Sequence, residues 1–320
     1  MAYSHGNGAT AVVQEPPVVC DLRNVFASLD DAPLLAALRG PARVGRKGHP
    51  VEILWRCFVA KYRMGLASTD ALIRALYDNP YLANVCGIPT PDASPHKSTF
   101  SRFFAKLADG RHAHLVKNVS RAIVRANYAK IPAFGQRVAM DSTTLKAWSN
   151  GGPRIHSDSQ AGWAAKTGTH GKTEFTFGYK LHLIVDCESE MPIAANVTAG
   201  NVNDYKAASR VLAEARTSRQ FHPAFIMADK GYSGQSLVTL IHRQYRSTPI
   251  IDLNKSHLRL ARRSPKTRTP TEFVALYRQR TAVERVFSRL KGQRSLNSIR
   301  VRGLRKVVVH CYLALIAMQV

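Results

Sequence analysis

Residues 277–291, YRQRTAVERVFSRLK, read as one helix with three faces, and the fold follows from what those faces require. At about 100° per residue, Leu276, Val283, Val286, Phe287 and Leu290 share an apolar arc that has to be buried on a core. Tyr277, Arg280, Glu284 and Lys291 share a narrow arc beside it. Their spacings of three, four and seven residues stack the four side chains in a row, with one carboxylate between cations at the edge of the buried face. Arg278, Arg285 and Arg289 make a third, basic face. Taken alone, the stretch is an amphipathic surface helix whose Glu284 pairs with Arg280; the rest of the chain changes that reading.

Upstream, the pattern alternates with period two after Ile131-Pro132: Val138, Met140 and Ser142 against Ala139, Asp141 and Thr143, in a strand ending near Trp148. Residues 149–172 are rich in Gly, Ser and Lys and read as a long loop, of the kind that in compact domains is usually functional or mobile. Residues 174–186 and 192–198 are β-branched and aromatic runs around the reversal CESEM, an antiparallel hairpin. Then come a helix over 203–216, a short buried strand over 224–228, a helix over 233–245, a strand over 249–253, and the last helices over 271–291 and 303–320. Three strands followed by helix, strand, helix, strand make a mixed α/β sheet flanked by helices.

Three stretches within this pattern carry candidate chemistry. Asp141 in AMDSTT lies inside a strand, where a carboxylate is costly unless paired or bound to a cation. Asp229 in ADKGY follows FIMA at a strand end, with Gly231 permitting a tight turn; on its own it is equally a turn or cap aspartate. Asp204 in TAGNVND reads with Asn203 as a helix cap. Between Asp229 and Glu284, NKSHLRLARRSPKTRTP holds Lys255, Arg259, Arg262, Arg263, Lys266 and Arg268 and no acid. Such a run is often only solvated, but here phosphate contact is the better reading.

The Tyr, Arg, Glu, Lys spacing over 277–291, with Asp141, GYKLH, TAGNVND and Asp229 in that order, resembles the DDE transposases of bacterial insertion sequences. The resemblance is clear over 137–310 and weaker over 49–108, through HPVEILWRCFVAKYRMGL and STFSRFF. It implies an RNase H-like catalytic domain in which Asp141, Asp229 and Glu284 are catalytic and bind Mg²⁺, with Mn²⁺ as a substitute. It further implies cleavage at transposon ends and joining of the 3′-OH to target DNA. Two ions about 4 Å apart can align nucleophile and leaving oxygen and take up charge on the phosphate; such hard cations call for oxygen donors. Arg280 and Lys291 are then phosphate contacts, while Tyr277 serves either phosphate or packing at the buried edge. Arg259, Arg262, Arg263, Lys266 and Arg268 complete the expected DNA-binding set. Two other readings share these residues: an inactive DNA-binding relative, and an RNase H-like nuclease without strand transfer.

Composition agrees with a polyanionic partner. The chain has 320 residues and a formal charge of +25, with a pI of 10.3, which neutral small-molecule substrates do not require. No run of eighteen apolar residues exists, and residues 307–320 are short and contain His310, so they read as a core helix rather than a membrane span. The partner expected is double-stranded DNA, both transposon ends and target, bound by a homodimer; no membrane is involved, and a nucleoid-associated cytoplasmic location follows. The five cysteines are scattered and never form CxxC, which argues for reduced thiols and against zinc. Three segments are expected: an irregular 1–48 around a short helix near Leu34–Leu38, an all-helical 49–131, and an RNase H-like 132–320. Short helices with Arg102, Lys106 and Arg111 exposed fit a helix-turn-helix-like reader and a plain helical cap equally.

Overall fold

The computed structural model describes residues 15–40, 48–152, 157–167, 173–252 and 270–320. Among the described residues seven α-helices come first: α1 (Pro17–Ser28), α2 (Ala32–Arg39), α3 (Val51–Arg63), α4 (Thr69–Asp78), α5 (Pro80–Val85), α6 (Lys97–Leu107) and α7 (Gly110–Lys130). The expectation of irregular backbone before residue 49 is corrected by α1, while α2 falls on the short helix expected near Leu34–Leu38. The Pro16-Pro17 pair starts a helix: Pro17 occupies the first turn, where a missing N–H costs nothing, and Val19, Leu22 and Val25 are buried behind it.

The sheet follows, with β1 (Arg137–Lys146), β2 (Gly162–Thr167), β3 (Thr173–Asp186), β4 (Pro192–Ala199), α8 (Asp204–Ala215), β5 (Phe225–Ala228), α9 (Gln235–Tyr245) and β6 (Thr248–Ile251). α10 (Pro270–Arg278), α11 (Thr281–Gln293) and α12 (Leu304–Gln319) close the chain. β1 pairs antiparallel with β3 and parallel with β5, β3 pairs antiparallel with β4, and β5 pairs parallel with β6. Without β2 the order β4-β3-β1-β5-β6 is the RNase H-like arrangement implied by the resemblance.

β2 is a correction, since its residues fell inside the stretch read as loop. It pairs with the first half of the long β3, Gly162 opposite Gly178 through Thr167 opposite Thr173, on the edge where β4 flanks the second half. Where the tips of β2 and β4 meet, a Cβ on Gly200 would lie 2.4 Å from the Gly162 carbonyl oxygen, and one on Gly178 would lie 2.0 Å from that of Leu145. Glycine is therefore required for the strands to close up. A six-residue edge strand has no internal signal strong enough to stand out from its Gly-, Ser- and Lys-rich surroundings; its pairing partner decides it.

Strand alternation divides the core in two. Val138, Met140, Ile184, Ile226 and Ala228 pack on α8 and α9. Ala139, Leu181, Leu183 and Val185 face the other way, into a larger core that includes α11, α12 and the amino-terminal helices. Beyond the exposed Arg305 and Lys306 of its first turn, α12 is buried nearly all round, against α3, α7 and β4, as expected of a largely apolar helix in a core. Among the described residues no helix is long and apolar enough to cross a membrane.

Two buried histidines tie this packing to pH. The Tyr62 hydroxyl donates to His310 Nδ1 at 2.7 Å, and His310 Nε2–H donates to the Leu296 carbonyl at 3.0 Å. His182 Nε2 lies 2.9 Å from Thr198 Oγ1. Burial pushes both imidazoles down to about 4. Each stays neutral in the fold while the unfolded chain takes up protons near the ordinary value of 6.5, so stability is full above that pH and is lost as pH falls toward 4. The melting temperature should drop over this window, and the drop should be shallower in His310→Gln. Identical slopes for the two chains would show that His310 is not held neutral.

A candidate carboxylate site beside the central strands

Asp141 breaks the apolar alternation of β1. It pairs with Leu183, so it projects from the face covered by α11. Its side chain is 21% exposed, and Oδ1 accepts the Ser142 N–H at 2.8 Å. Burial, reinforced by the negative charges of Asp229 and Asp204, pushes its pKa up to about 6 against the pull of the Ser142 amide and Arg280. A carboxylate so placed has a deficit of positive charge around it.

Asp229 comes from the adjacent parallel strand. Met140 is level with Ala228, so the next residue, still extended at φ −75° and ψ 174°, continues beside Asp141 and on its side of the sheet. Its Oδ1 accepts the Gly231 N–H at 2.8 Å, which fixes the carboxylate at the start of a 3₁₀ turn. A Cβ on Gly231 would lie 2.9 Å from that oxygen, so the close approach depends on glycine. The turn-capping reading of Asp229 and its place beside Asp141 are therefore compatible.

The helix read as continuous over 277–291 is two helices. The amides of Gln279, Arg280, Ala282 and Val283 bond three residues back rather than four, and the Thr281 hydroxyl donates to the Arg278 carbonyl at 3.0 Å, so the chain tightens and turns at Gln279-Arg280. The apolar arc of α11 survives this joint: Val283, Val286, Phe287 and Leu290 are all buried. Arg280, at the joint, is held between two carboxylates, with one guanidinium nitrogen 3.7 Å from Asp141 Oδ2 and another 2.8 Å from Glu284 Oε1. Glu284, 52% exposed, is thus joined to Asp141 through a shared cation rather than directly.

Tyr277 stacks on Phe273 with ring centroids 5.8 Å apart and lies under the Arg280 guanidinium. Burial raises its phenol pKa, and the carboxylates of Asp252 and Asp229 add to the rise while Arg280 opposes it. Lys291, seven residues along from Glu284, is half-buried; burial and the neighbouring Lys166 of β2 lower its pKa. Two cations side by side, Lys166 weakening the hold of Lys291 on its proton, favour an anion between them. The third face of the helix behaves otherwise, because Arg285 and Arg289 both pair with Glu190 in the β3–β4 turn and so anchor α11 to the sheet. Arg259, Arg262, Arg263, Lys266 and Arg268 lie outside the described residues.

Residues not singled out for the site also gather here. Asn203 alone caps α8, accepting the Tyr205 N–H at 2.9 Å, whereas Asp204 takes Lys180 of β3 at 3.0 Å. Tyr232, buried beside Asp141, Asp204 and Asp229, has its phenol pKa raised by burial first and by these charges second. Lys180 and Asp204 lie in GYKLH and TAGNVND, so the motifs marked them while giving no sign that they meet.

The donor chemistry suits a hard divalent cation: oxygen ligands only, on rigid strand ends, with the negative charge at Asp141 only partly offset by Arg280 at 3.7 Å. Among the described residues no three His, Cys, Asp or Glu side chains are gathered closely enough to hold a metal ion. Glu284 is the member standing apart, turned onto Arg280.

Residues 132–320 match the model of a family described as transposase DDE domain, and residues 15–106 match one described as a transposase domain (DUF772). No curated protein matches the chain. Among solved structures, the chain is similar to piggyBac transposase in a synaptic complex with hairpin DNA, at 10% identity and a TM-score of 0.48, over 93% of this chain and 73% of that one.

Proposed function

We propose, from the premise that this chain belongs to the transposase DDE-domain family, that Asp141, Asp229 and Glu284 are its catalytic carboxylates and that they cut and join DNA at the ends of an insertion sequence. Membership implies that the enzyme binds DNA and depends on a divalent metal; Mg²⁺, with Mn²⁺ able to substitute, is the ion proposed. The observation that carries the residue assignment is the juxtaposition of Asp141 and Asp229 on one side of adjacent strands, with Glu284 one arginine away.

A bound divalent ion supplies charge neutralisation on the scissile phosphate and activation of water or a 3′-OH. The chain's own residues supply the rest. Asp141 and Asp229, fixed by the Ser142 and Gly231 amides, present their free oxygens without having to reorganise. Arg280 neutralises Asp141 and Glu284 while no other cation is there, and its fork is suited to a phosphate once Glu284 turns inward. Lys291 and Lys166 hold a phosphate further along the strand as point charges. Tyr277 offers its ring edge or hydroxyl to the same backbone. Arg259, Arg262, Arg263, Lys266 and Arg268 add cations between the second and third carboxylates in the chain. The helices of 49–131 are proposed to contribute to DNA binding, and a homodimer would let one complex act on two ends.

The test uses DNA flanking the gene that carries short terminal inverted repeats. The full chain with Mg²⁺ should nick this DNA at the repeat boundary and join the released 3′-OH to a second duplex; EDTA should stop both. Cutting without any joined product would identify a nuclease, and binding without cutting in either Mg²⁺ or Mn²⁺ would identify an inactive relative.

A further inference from the structure

A cavity of about 330 Å³ opens well away from the carboxylates, where α3, the start of α4 and α6 meet Trp148 and the segment running into α12. Lys61 of α3 lines it. This lysine is only 5% exposed, its ammonium lies over the ring of Tyr62 at 4.2 Å, and among the described residues no ion pair or hydrogen bond reaches it. Burial, with help from the nearby Arg300, lowers its pKa to about 8. An unpaired buried ammonium is costly, and such groups in clefts mark functional sites.

The rest of the lining indicates what would pair with it. Lys97, Arg300 and Lys306 bring the cations to four, against one acid, Asp70, which already binds Lys97 at 2.8 Å. Arg300 stacks over the half-exposed Trp148 at 5.0 Å. The first turn of α4, a ten-residue helix capped by Ser68, opens on the same space and adds the positive end of its dipole. His310, on the cavity wall, is neutral and held on both ring nitrogens, so it is not a competing ligand. Aromatic rings of Phe58 and Phe100 form the floor. Convergent cations above an aromatic floor suit a phosphoryl group attached to something flat and apolar, more than they suit a lone carboxylate.

We propose that this cavity is a phosphate-binding site in which Lys61, Arg300 and Lys306 hold the phosphoryl group of a nucleotide unit, separate from the carboxylate site. Trp148 lies seven residues beyond Asp141; at about 3.3 Å per residue in a strand the two are roughly 20 Å apart, so one phosphate cannot serve both. The nucleotide unit comes either from a DNA strand or from free nucleotide or phosphate, and the chemistry of recognition is shared.

The experiment titrates the full chain, in EDTA, with inorganic phosphate and separately with a short single-stranded oligonucleotide at several salt concentrations. Lys61→Met keeps the length and apolar stem of the side chain; it should weaken oligonucleotide binding about ten-fold and lower the log–log salt slope by about 0.7, the share of one phosphate contact on a single strand. Arg300→Gln, at an exposed position where folding is not at stake, should do the same. Arg243→Gln, on the exposed side of α9, should change neither. Quenching of Trp148 by inorganic phosphate alone, lost in Lys61→Met, would support the site with free phosphate as its source; quenching by the oligonucleotide alone, lost in the same variant, would support it with a DNA strand as the source. If neither probe binds, or if folded Lys61→Met and Arg300→Gln both keep wild-type affinity and slope, the site is refuted. Because EDTA silences cleavage, this result is independent of the carboxylate assignment.

Discussion

Asp141→Asn should abolish DNA cleavage and, at neutral pH, make the protein more stable. The loss of activity follows from the proposed role, because the amide keeps the shape of the side chain and its acceptor for the Ser142 N–H but cannot hold a divalent cation as a carboxylate does. Cutting of transposon-end DNA should fall by several orders of magnitude. The gain in stability follows from the pKa. A carboxyl raised from 3.8 to about 6 by burial and by its acidic neighbours binds its proton more tightly in the fold than in the unfolded chain, so ionising it costs the fold. The penalty is absent below about 3.8, grows between that value and 6, and is complete at pH 7, where a shift of this size corresponds to about 3 kcal/mol. Asparagine removes it, and the melting temperature should rise by several degrees. The advantage over wild type should vanish below pH 4. An active Asp141→Asn enzyme would remove the residue from the catalytic set, and a variant less stable at pH 7 would show that Arg280 outweighs burial at this position.

Glu284→Gln should separate the same two properties in the opposite way, with stability unchanged and activity lost. Half of the Glu284 side chain is exposed, and among the described residues its ionic partner is Arg280, four residues earlier, at 2.8 Å. Ion pairs of this type contribute about 0.3–0.5 kcal/mol, and glutamine keeps the helix propensity of the site. The buried arc of Val283, Val286, Phe287 and Leu290 is untouched, so α11 should stay docked. DNA binding in EDTA should match wild type, because no phosphate contact is removed. Cleavage and joining in Mg²⁺ should drop by several orders of magnitude. Near wild-type cutting would reduce Glu284 to the partner of Arg280 and leave Asp141 and Asp229 without a third carboxylate.

The two variants differ because the two carboxylates are held differently. Asp141 is rigid and partly buried on a strand whose neighbours repel its charge. Glu284 is on a helix surface and free to turn. Strain is thus concentrated where the backbone cannot move, which is the usual balance between stability and function at a charged site.

Periodicity and residue types in the chain determined a good deal on their own. The alternation around Asp141, the FIMA run before Asp229 and the apolar arc over 283–290 are local patterns, because a side chain's face in a strand or helix follows from its spacing along the chain. The succession of elements was also legible, three strands followed by helix-linked strands in a mixed sheet, whereas their order within the sheet was not. Motif spacing pointed to the family before any coordinate was considered.

Tertiary structure alone decided the rest. β2 exists because the first half of β3 offers it an edge, and nothing in residues 162–167 themselves demands a strand. α1 starts at Pro17 because Val19, Leu22 and Val25 find a core to enter. The joint at Gln279-Arg280 and the bridge from Asp141 through Arg280 to Glu284 depend on where a helix docks on a sheet, as do the pairing of Asp204 with Lys180 and the isolation of Lys61. Local pattern fixes which way a side chain points; which charge it then meets depends on residues distant in the chain, and in a partly buried site that meeting sets both its pKa and its chemistry.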